Sequence, residues 1–333
     1  MPNVCFLFAM DLRKTDGAAV HSKSLVSTCR RAGMRAEQVS FDSLGCSGVL
    51  FALRAPFAVP DDARFVYLRS PLALLSIPLL KARRKKVVLG VAALKHLESP
   101  MWTRPFVKLA EDLAICLSDA VMTISPALGE YCKSHGARKI LVYLPLVDSG
   151  AFSGAKPRAK GGGAFVAGYV GGRQEWQGLG ILSDALAGMP DDFELRVYGD
   201  ADENDFGNDP RVKVFGRIPN RRVPSVLKSL DLFVIPRPAH PSAETATPIK
   251  MVEAMACGVP CLVTDVRGMT WFVRNRRDAI VCAASANGLR EGMRWAVSNR
   301  KKLRAIGENG RKRVTAELRG TGGKIRRFVS SLD

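Results

Sequence analysis

The sequence predicts an α/β protein built from two doubly wound domains, and three observations carry that expectation. Short runs of β-branched and apolar residues alternate with longer segments of helical period, the pattern of a parallel sheet covered on both faces. At 153–163 the rhythm stops in SGAKPRAKGGG, a stretch of Gly, Pro and basic residues, and it restarts beyond it. The length of 333 residues suits two domains of ~150 residues each.

In chain order, strands are expected at 4–10, 38–41, 65–68, 87–91, 120–124 and 140–144, with helices at 18–32, 104–117 and 126–135. After the break, strands are expected at 165–170, 194–198, 212–215, 232–235, 261–264 and 279–281, again with helices between. From about residue 298 the chain is helical in period, and 300–333 holds 11 basic against 3 acidic residues. The expected division is a first domain at 1–152, a linker at 153–163 and a second domain at 164–318. The basic segment 319–333 is expected to pack back on the first domain.

Apolar residues make up 47% and charged residues 24%, enough for a full core and too apolar for a disordered chain or a coiled coil. The most membrane-like stretch, 71–80, is ten residues long and contains Pro71 and Pro78, far short of a span. An apolar run begins at Val4 without a basic leader, so no export signal is expected. The eight cysteines form no CxxC pair, which points to reduced thiols in a cytoplasmic protein rather than a zinc site or a disulfide framework. The formal charge of +19 attracts nucleic acid, anionic lipid or phosphorylated ligands. Aromatic residues are only 7% and no helix-turn-helix, RNA-recognition or zinc pattern occurs, so no specific nucleic acid is expected.

A doubly wound sheet suggests a dinucleotide enzyme, but the GxGxxG turn is missing: after the first strand the chain reads DLRKTDGAAVH, with Gly17 alone opening a helix. The informative stretch is 231–265, DLFVIPRPAHPSAETATPIKMVEAMACGVPCLVTD. It reads as a buried strand, a polar loop, a helix opened by Pro248 and stopped by Gly258 and Pro260, and a second buried strand. A helix start at the carboxyl edge of a parallel sheet suits a diphosphate, and Thr247, Pro248 and Ile249 form that start. Lys250 adds a full charge in the first turn. Glu253, acidic in an apolar helix, is suited to accept hydrogen bonds from a vicinal diol such as a ribose; an ion pair with Lys250 at i, i+3 is the alternative. At 167–179, AGYVGGRQEWQGL, Gly171 and Gly172 end a strand where a ligand can approach, followed by Arg173, whose guanidinium fork suits phosphate oxygens.

Together these stretches resemble the family-4 retaining glycosyltransferases of the GT-B type. The matching elements are GYVGGR through Gly178, EAMACGVP from Glu253, and more generally DAVMTIS at 119–125 and PLVD at 145–148 with Phe152. The resemblance implies two Rossmann-like domains facing each other across a cleft, a nucleoside diphosphate sugar as donor and no cofactor. It also implies retention of anomeric configuration, with the departing phosphate as base. Preorganised cations and helix N–H groups then stabilise the leaving diphosphate. No Asp-x-Asp metal motif occurs, and metal-independent chemistry is expected. Donor contacts are expected from Gly17, Gly171, Gly172, Arg173, Gln177, Thr247, Pro248, Ile249, Lys250 and Glu253, and catalytic roles from Glu244 and His96.

The chain departs from the family at three points. One residue more separates Glu244 from Glu253 than in the family's paired glutamates, which leaves Thr245 at the family spacing. A subgroup with Pro-x-Lys before the second Glu fits Pro248 and Lys250 better. Gln177 stands where a second basic residue is usual, and Gly17 is followed by Ala18 in place of a second glycine. His21, His135 and His240 are read as structural or loop residues. The run 78–86, PLLKARRKK, joins an apolar segment to five charges and is a candidate contact with an anionic membrane, which would make the acceptor a lipid-linked or envelope glycan. The protein would then be peripheral on the inner face of the plasma membrane. A nucleotide-sugar epimerase, a phosphorylase of the same fold and a basic nucleic-acid-binding protein are the alternatives.

Overall fold

A computed structural model of the chain describes residues 3–13, 17–70, 72–148, 150, 152 and 163–333. Of the expected linker only Gly163 lies within the described residues. The chain divides into two compact units, Met1–Leu146 with Leu318–Asp333, and Val147–Glu317.

Unit 1 holds strands β1 (Asn3–Phe8), β2 (Arg35–Ser40), β3 (Phe65–Arg69), β4 (Lys86–Val91), β5 (Ala120–Thr123) and β6 (Ile140–Val142). They pair in the order β2-β1-β3-β4-β5-β6, every ladder parallel. Central strands read as unbroken apolar runs because helices cover both faces; β5 is buried throughout. The helices used below are α1 (Gly17–Arg31), α2 (Gly48–Arg54), α3 (Ala73–Ala82), α4 (Lys95–Glu98), α5 (Arg104–Leu117) and α6 (Pro126–Ser134). Ser125 caps α6 by accepting from Leu128 N–H at 3.1 Å.

Several expected strands end within one or two residues of the observed bounds, and two of the differences have a visible cause. The first stops at Phe8, because Met10 N–H turns back to Phe8 O at 2.7 Å. The second begins at Arg35 and ends at Ser40, where Ser43 Oγ accepts from Ser40 N–H at 2.8 Å and turns Phe41 into a short helix. At the other end of the chain, Gly322 lies against Thr28 and Ala32; a Cβ there would sit 3.0 Å from Ala32 Cβ.

Unit 2 holds β7 (Phe165–Gly171), β8 (Phe193–Gly199), β9 (Val212–Val214), β10 (Leu232–Ile235), β11 (Cys261–Thr264) and β12 (Ile280–Cys282). Their order is β12-β11-β10-β7-β8-β9, again all parallel. Its relevant helices are α7 (Leu179–Ala185), α8 (Pro241–Thr245), α9 (Ile249–Ala256), α10 (Arg267–Thr270) and α11 (Ala286–Ser298), with α12 (Arg300–Ser330) supplying residues to both units. In this order the chain runs from β7 outward to β8 on one side and from β10 outward to β11 on the other. The resulting crevice at the carboxyl ends of β7 and β10 is where open α/β sheets bind ligands.

Candidate functional site

Both stretches singled out in the sequence of unit 2 arrive at that crevice. After β7, Gly171 and Gly172 carry the chain into a tight turn; a Cβ on Gly171 would lie 2.3 Å from Tyr169 Oη, whose hydroxyl donates to Gly172 O at 2.8 Å. Gly178, at φ +78°, runs so close to the segment after β10 that a Cβ would meet Pro236 O at 1.6 Å. Only glycine joins the two loops this closely. Gln177 ends the 3-10 turn Glu175–Gln177 between them, half-buried.

Arg173 is half-exposed and bridges Asp202 at 3.1 Å and Asp205 at 2.7 Å in the loop after β8. A phosphate would share or replace these carboxylates. After β10, Arg237 is buried and donates to Ala246 O at 3.0 Å, while its own carbonyl accepts from Thr264 Oγ1 at 2.5 Å. Sequence reasoning passed over Arg237. The signal was available in Pro-Arg-Pro at 236–238, a cation placed directly after a buried strand.

The loop into α9 is held by side chains rather than by regular structure. Thr247 Oγ1 donates to Gly268 O at 2.7 Å and accepts from Trp271 Nε1 at 2.9 Å, so its hydroxyl is spent on α10. Glu244 Oε2 accepts from Arg267 N–H at 2.8 Å, which ties α8 to the start of α10. Pro248 precedes the first helical residue, Ile249, and α9 points its positive end to the sheet edge.

Glu253 is the unusual group. It is fully buried in α9, Lys250 Nζ lies 2.8 Å from Oε2 one turn earlier, and neither carboxylate oxygen accepts a directed hydrogen bond among the described residues. Burial raises its pKa above the ordinary carboxyl value, while Lys250 pulls the other way. The i, i+3 ion pair is therefore present, and it leaves acceptor capacity on the carboxylate unused. A buried carboxylate with part of its acceptor capacity unmet costs stability, a cost that a donor from a ligand would offset.

Unit 1 has a different edge. A cavity of about 270 Å³ opens at the carboxyl ends of β1, β3 and β4, lined mainly by apolar residues such as Ala9, Met10 and Ala92, with Arg69, Lys95 and Glu111 as its charged groups. Glu111 also holds His96, its Oε2 2.7 Å from Nδ1 and 3.1 Å from the backbone N–H. His96 is buried in α4 with its ring over Tyr131. Gly17 is the first residue of α1. His21, in the same helix, is sealed in: Nδ1 accepts from Leu146 N–H at 2.9 Å and Nε2 faces Tyr143 Oη at 3.1 Å.

In the charged run at 78–86 most of the cations have protein partners. Lys85 is buried with Nζ on Pro60 O and Asp61 O, Lys81 pairs with Asp119 at 2.6 Å, and Arg83 pairs with Asp61 at 2.5 Å. Most of that charge fastens neighbouring loops.

Residues 155–313, nearly all of unit 2, match the model of the family described as glycosyl transferases group 1. This stretch is similar to the glycosyl transferases group 1 family. Over 125 residues the chain is 29% identical to TuaC of Bacillus subtilis (strain 168), assigned as a glycosyltransferase to teichuronic acid biosynthesis; the match takes in 38% of this chain and 31% of TuaC. The chain thus spans about a third of that relative. Among solved structures, sucrose-phosphate synthase of Thermosynechococcus elongatus superposes at TM-score 0.79 with 16% identity, over 100% of both chains. HepE of Anabaena, in complex with UDP-glucose, superposes at 0.76 with 17% identity over 99% of each. At these identities they establish the fold, two Rossmann-like domains of the GT-B type. The group 1 match independently covers the segment that carries the crevice.

Proposed function

We propose that this chain is a retaining glycosyltransferase that moves a hexose-type sugar from a nucleoside diphosphate sugar to a glycan, lipid-linked or small-molecule acceptor, without a metal, in the cytoplasm. The observation that carries the reading is Glu253, a buried carboxylate with unused acceptor capacity at the sheet edge of the group 1 segment. The UDP-glucose held by HepE supports the donor class. A ribose diol would donate to Glu253, and Lys250 with the start of α9 would face the diphosphate. Arg173 would exchange its aspartates for phosphate oxygens.

In the transfer, an acceptor hydroxyl oxygen forms a bond to the anomeric carbon as the bond from that carbon to the diphosphate oxygen breaks. The hydroxyl proton passes to the departing phosphate. Cations placed beforehand stabilise the charge that develops there. Glu244 serves this scheme by fixing the α8 and α10 loops, and His96 by its place behind Glu111 at the unit 1 cavity.

The test is thermal melting against a panel of nucleoside diphosphate sugars, followed by product analysis. A matching donor at 100 times its dissociation constant should add ~2.7 kcal/mol. Glu253→Gln and Lys250→Ala should each remove that gain; an undiminished gain in both variants would overturn the site. Turnover of donor with no acceptor present would point to an epimerase.

A further inference from the structure

Going beyond glycosyl transfer and independent of it, we propose that the outer face of three neighbouring helices in unit 1 docks on an anionic lipid bilayer. On α5 and the turn before it, Trp102, Phe106, Leu109, Leu113 and Leu117 recur at i, i+4, i+7, i+11 and i+15, one stripe of a helix, and all are exposed. Trp102 is 79% and Phe106 75% exposed. Helix α3 packs against both α2 and α5, and α2 with the turn after it adds exposed Leu50, Leu53 and Phe57 to the same layer. Of the large apolar side chains exposed among the described residues, Phe215 alone belongs to unit 2. Apolar exposure concentrated in this way marks an interaction surface.

Charge selects the occupant. Each helix of the layer brings an exposed guanidinium with no anionic partner among the described residues: Arg54 at the end of α2, Arg84 just past α3 and Arg104 at the start of α5. Across 48–58, 72–86 and 101–117 the sequence has eight basic residues and two acidic ones; Lys81 and Lys86 pair with Asp119, Arg83 with Asp61 and Lys108 with Asp112, Lys85 is held by Pro60 O and Asp61 O, and Glu111 is engaged by His96, which leaves the three guanidinium groups as the face's unpaired charge among the described residues. A second copy would bring one +19 chain against another. An anionic bilayer offers the opposite sign and an apolar interior together. Arginine stems lie along such a surface with their heads at the lipid phosphates, while Trp102 suits the interface. No helix among the described residues is long and apolar enough to cross a membrane, so the contact is with one leaflet.

The test is co-sedimentation of the full chain with vesicles of phosphatidylglycerol and phosphatidylcholine in equal parts, and with pure phosphatidylcholine vesicles, in the absence of nucleotide sugar. Wild type is expected to pellet with the anionic vesicles and to remain in solution with the neutral ones. Trp102→Ser with Phe106→Ser should lower partitioning at least 10-fold, and Arg54→Glu with Arg104→Glu should do so at low salt, both with unchanged melts. Phe215→Ser should have no effect. A wild type that ignores both vesicles, or undiminished pelleting of both double variants, overturns the proposal. So does a dimer in sedimentation velocity that Phe106→Ser abolishes, since the face would then belong to a second copy. Vesicle binding is read without donor, so its failure and a failure of donor binding are separate results.

Discussion

His21 in unit 1 and Glu253 in unit 2 are both buried in helices, and the two are treated in opposite ways. His21 in unit 1 is closed off by Leu146 N–H and Tyr143 Oη, and burial, helped by the Arg69 guanidinium, pushes its pKa down to about 3. It stays neutral, and the fold satisfies both ring nitrogens. Glu253 in unit 2 is as deeply buried, yet among the described residues it is matched only by Lys250 and accepts no directed hydrogen bond. A buried polar group that is fully partnered serves the structure. One left short of partners marks the place where a ligand completes the set.

The sharpest way to break this contrast is Glu253→Gln. Transfer activity should fall by about 100-fold or more in kcat/KM, about 2.7 kcal/mol, measured with the donor found by melting. The same variant should stabilise the ligand-free protein near pH 8. Because the folded pKa of Glu253 is raised, its contribution to stability is intact below the ordinary carboxyl value and is lost as pH rises through the folded one. The advantage of Glu253→Gln should therefore shrink toward pH 4.5. A wild type more stable than the variant at pH 8 would end the argument.

Gly178→Ala comes next. Its positive φ and the 1.6 Å approach to Pro236 O should cost about 2–3 kcal/mol, read by denaturant melts. His21 supplies a pH test of the opposite sign. Its folded pKa lies below the ordinary imidazole value, so between pH 6.5 and about 3 the unfolded chain binds the extra proton and stability falls as pH falls. Lowering pH from 6.5 to 5.0 should cost about 2 kcal/mol in wild type, and His21→Gln, less stable at the outset, should lack that slope. The smallest effect belongs to Glu244→Gln. It weakens one bond to Arg267 N–H and should cost about 1 kcal/mol, with a larger loss in kcat than in donor affinity if Glu244 acts through the loops.

The two sheet edges differ as well. In unit 2 the crevice is built from glycine turns and charged side chains. In unit 1 the edge opens into a largely apolar cavity of about 270 Å³, and the outer helices expose Trp102 and Phe106. Charged side chains at one sheet edge and exposed apolar ones are thus divided between the units, so vesicle and donor experiments test them separately.

By itself the sequence determined the twelve strands and their parallel pairing, because buried parallel strands are short apolar runs and their periods survive in one dimension. It also marked the segment around Lys250 and Glu253, where an acidic residue interrupts an apolar helix. The tertiary structure decided what those groups face. Spacing along the chain does not reveal that Arg237 lies buried beside Ala246, that the Thr247 hydroxyl is consumed by Gly268 and Trp271, or that Lys81, Arg83 and Lys85 are spent on neighbouring loops. Nor does it reveal that α3 packs against both α2 and α5, or that Leu50, Leu53, Phe106, Leu109 and Leu113 are left exposed. Helical period specifies that a stripe exists. Whether the stripe meets the core or is left exposed depends on partners distant in sequence, and only the packed fold brings those together.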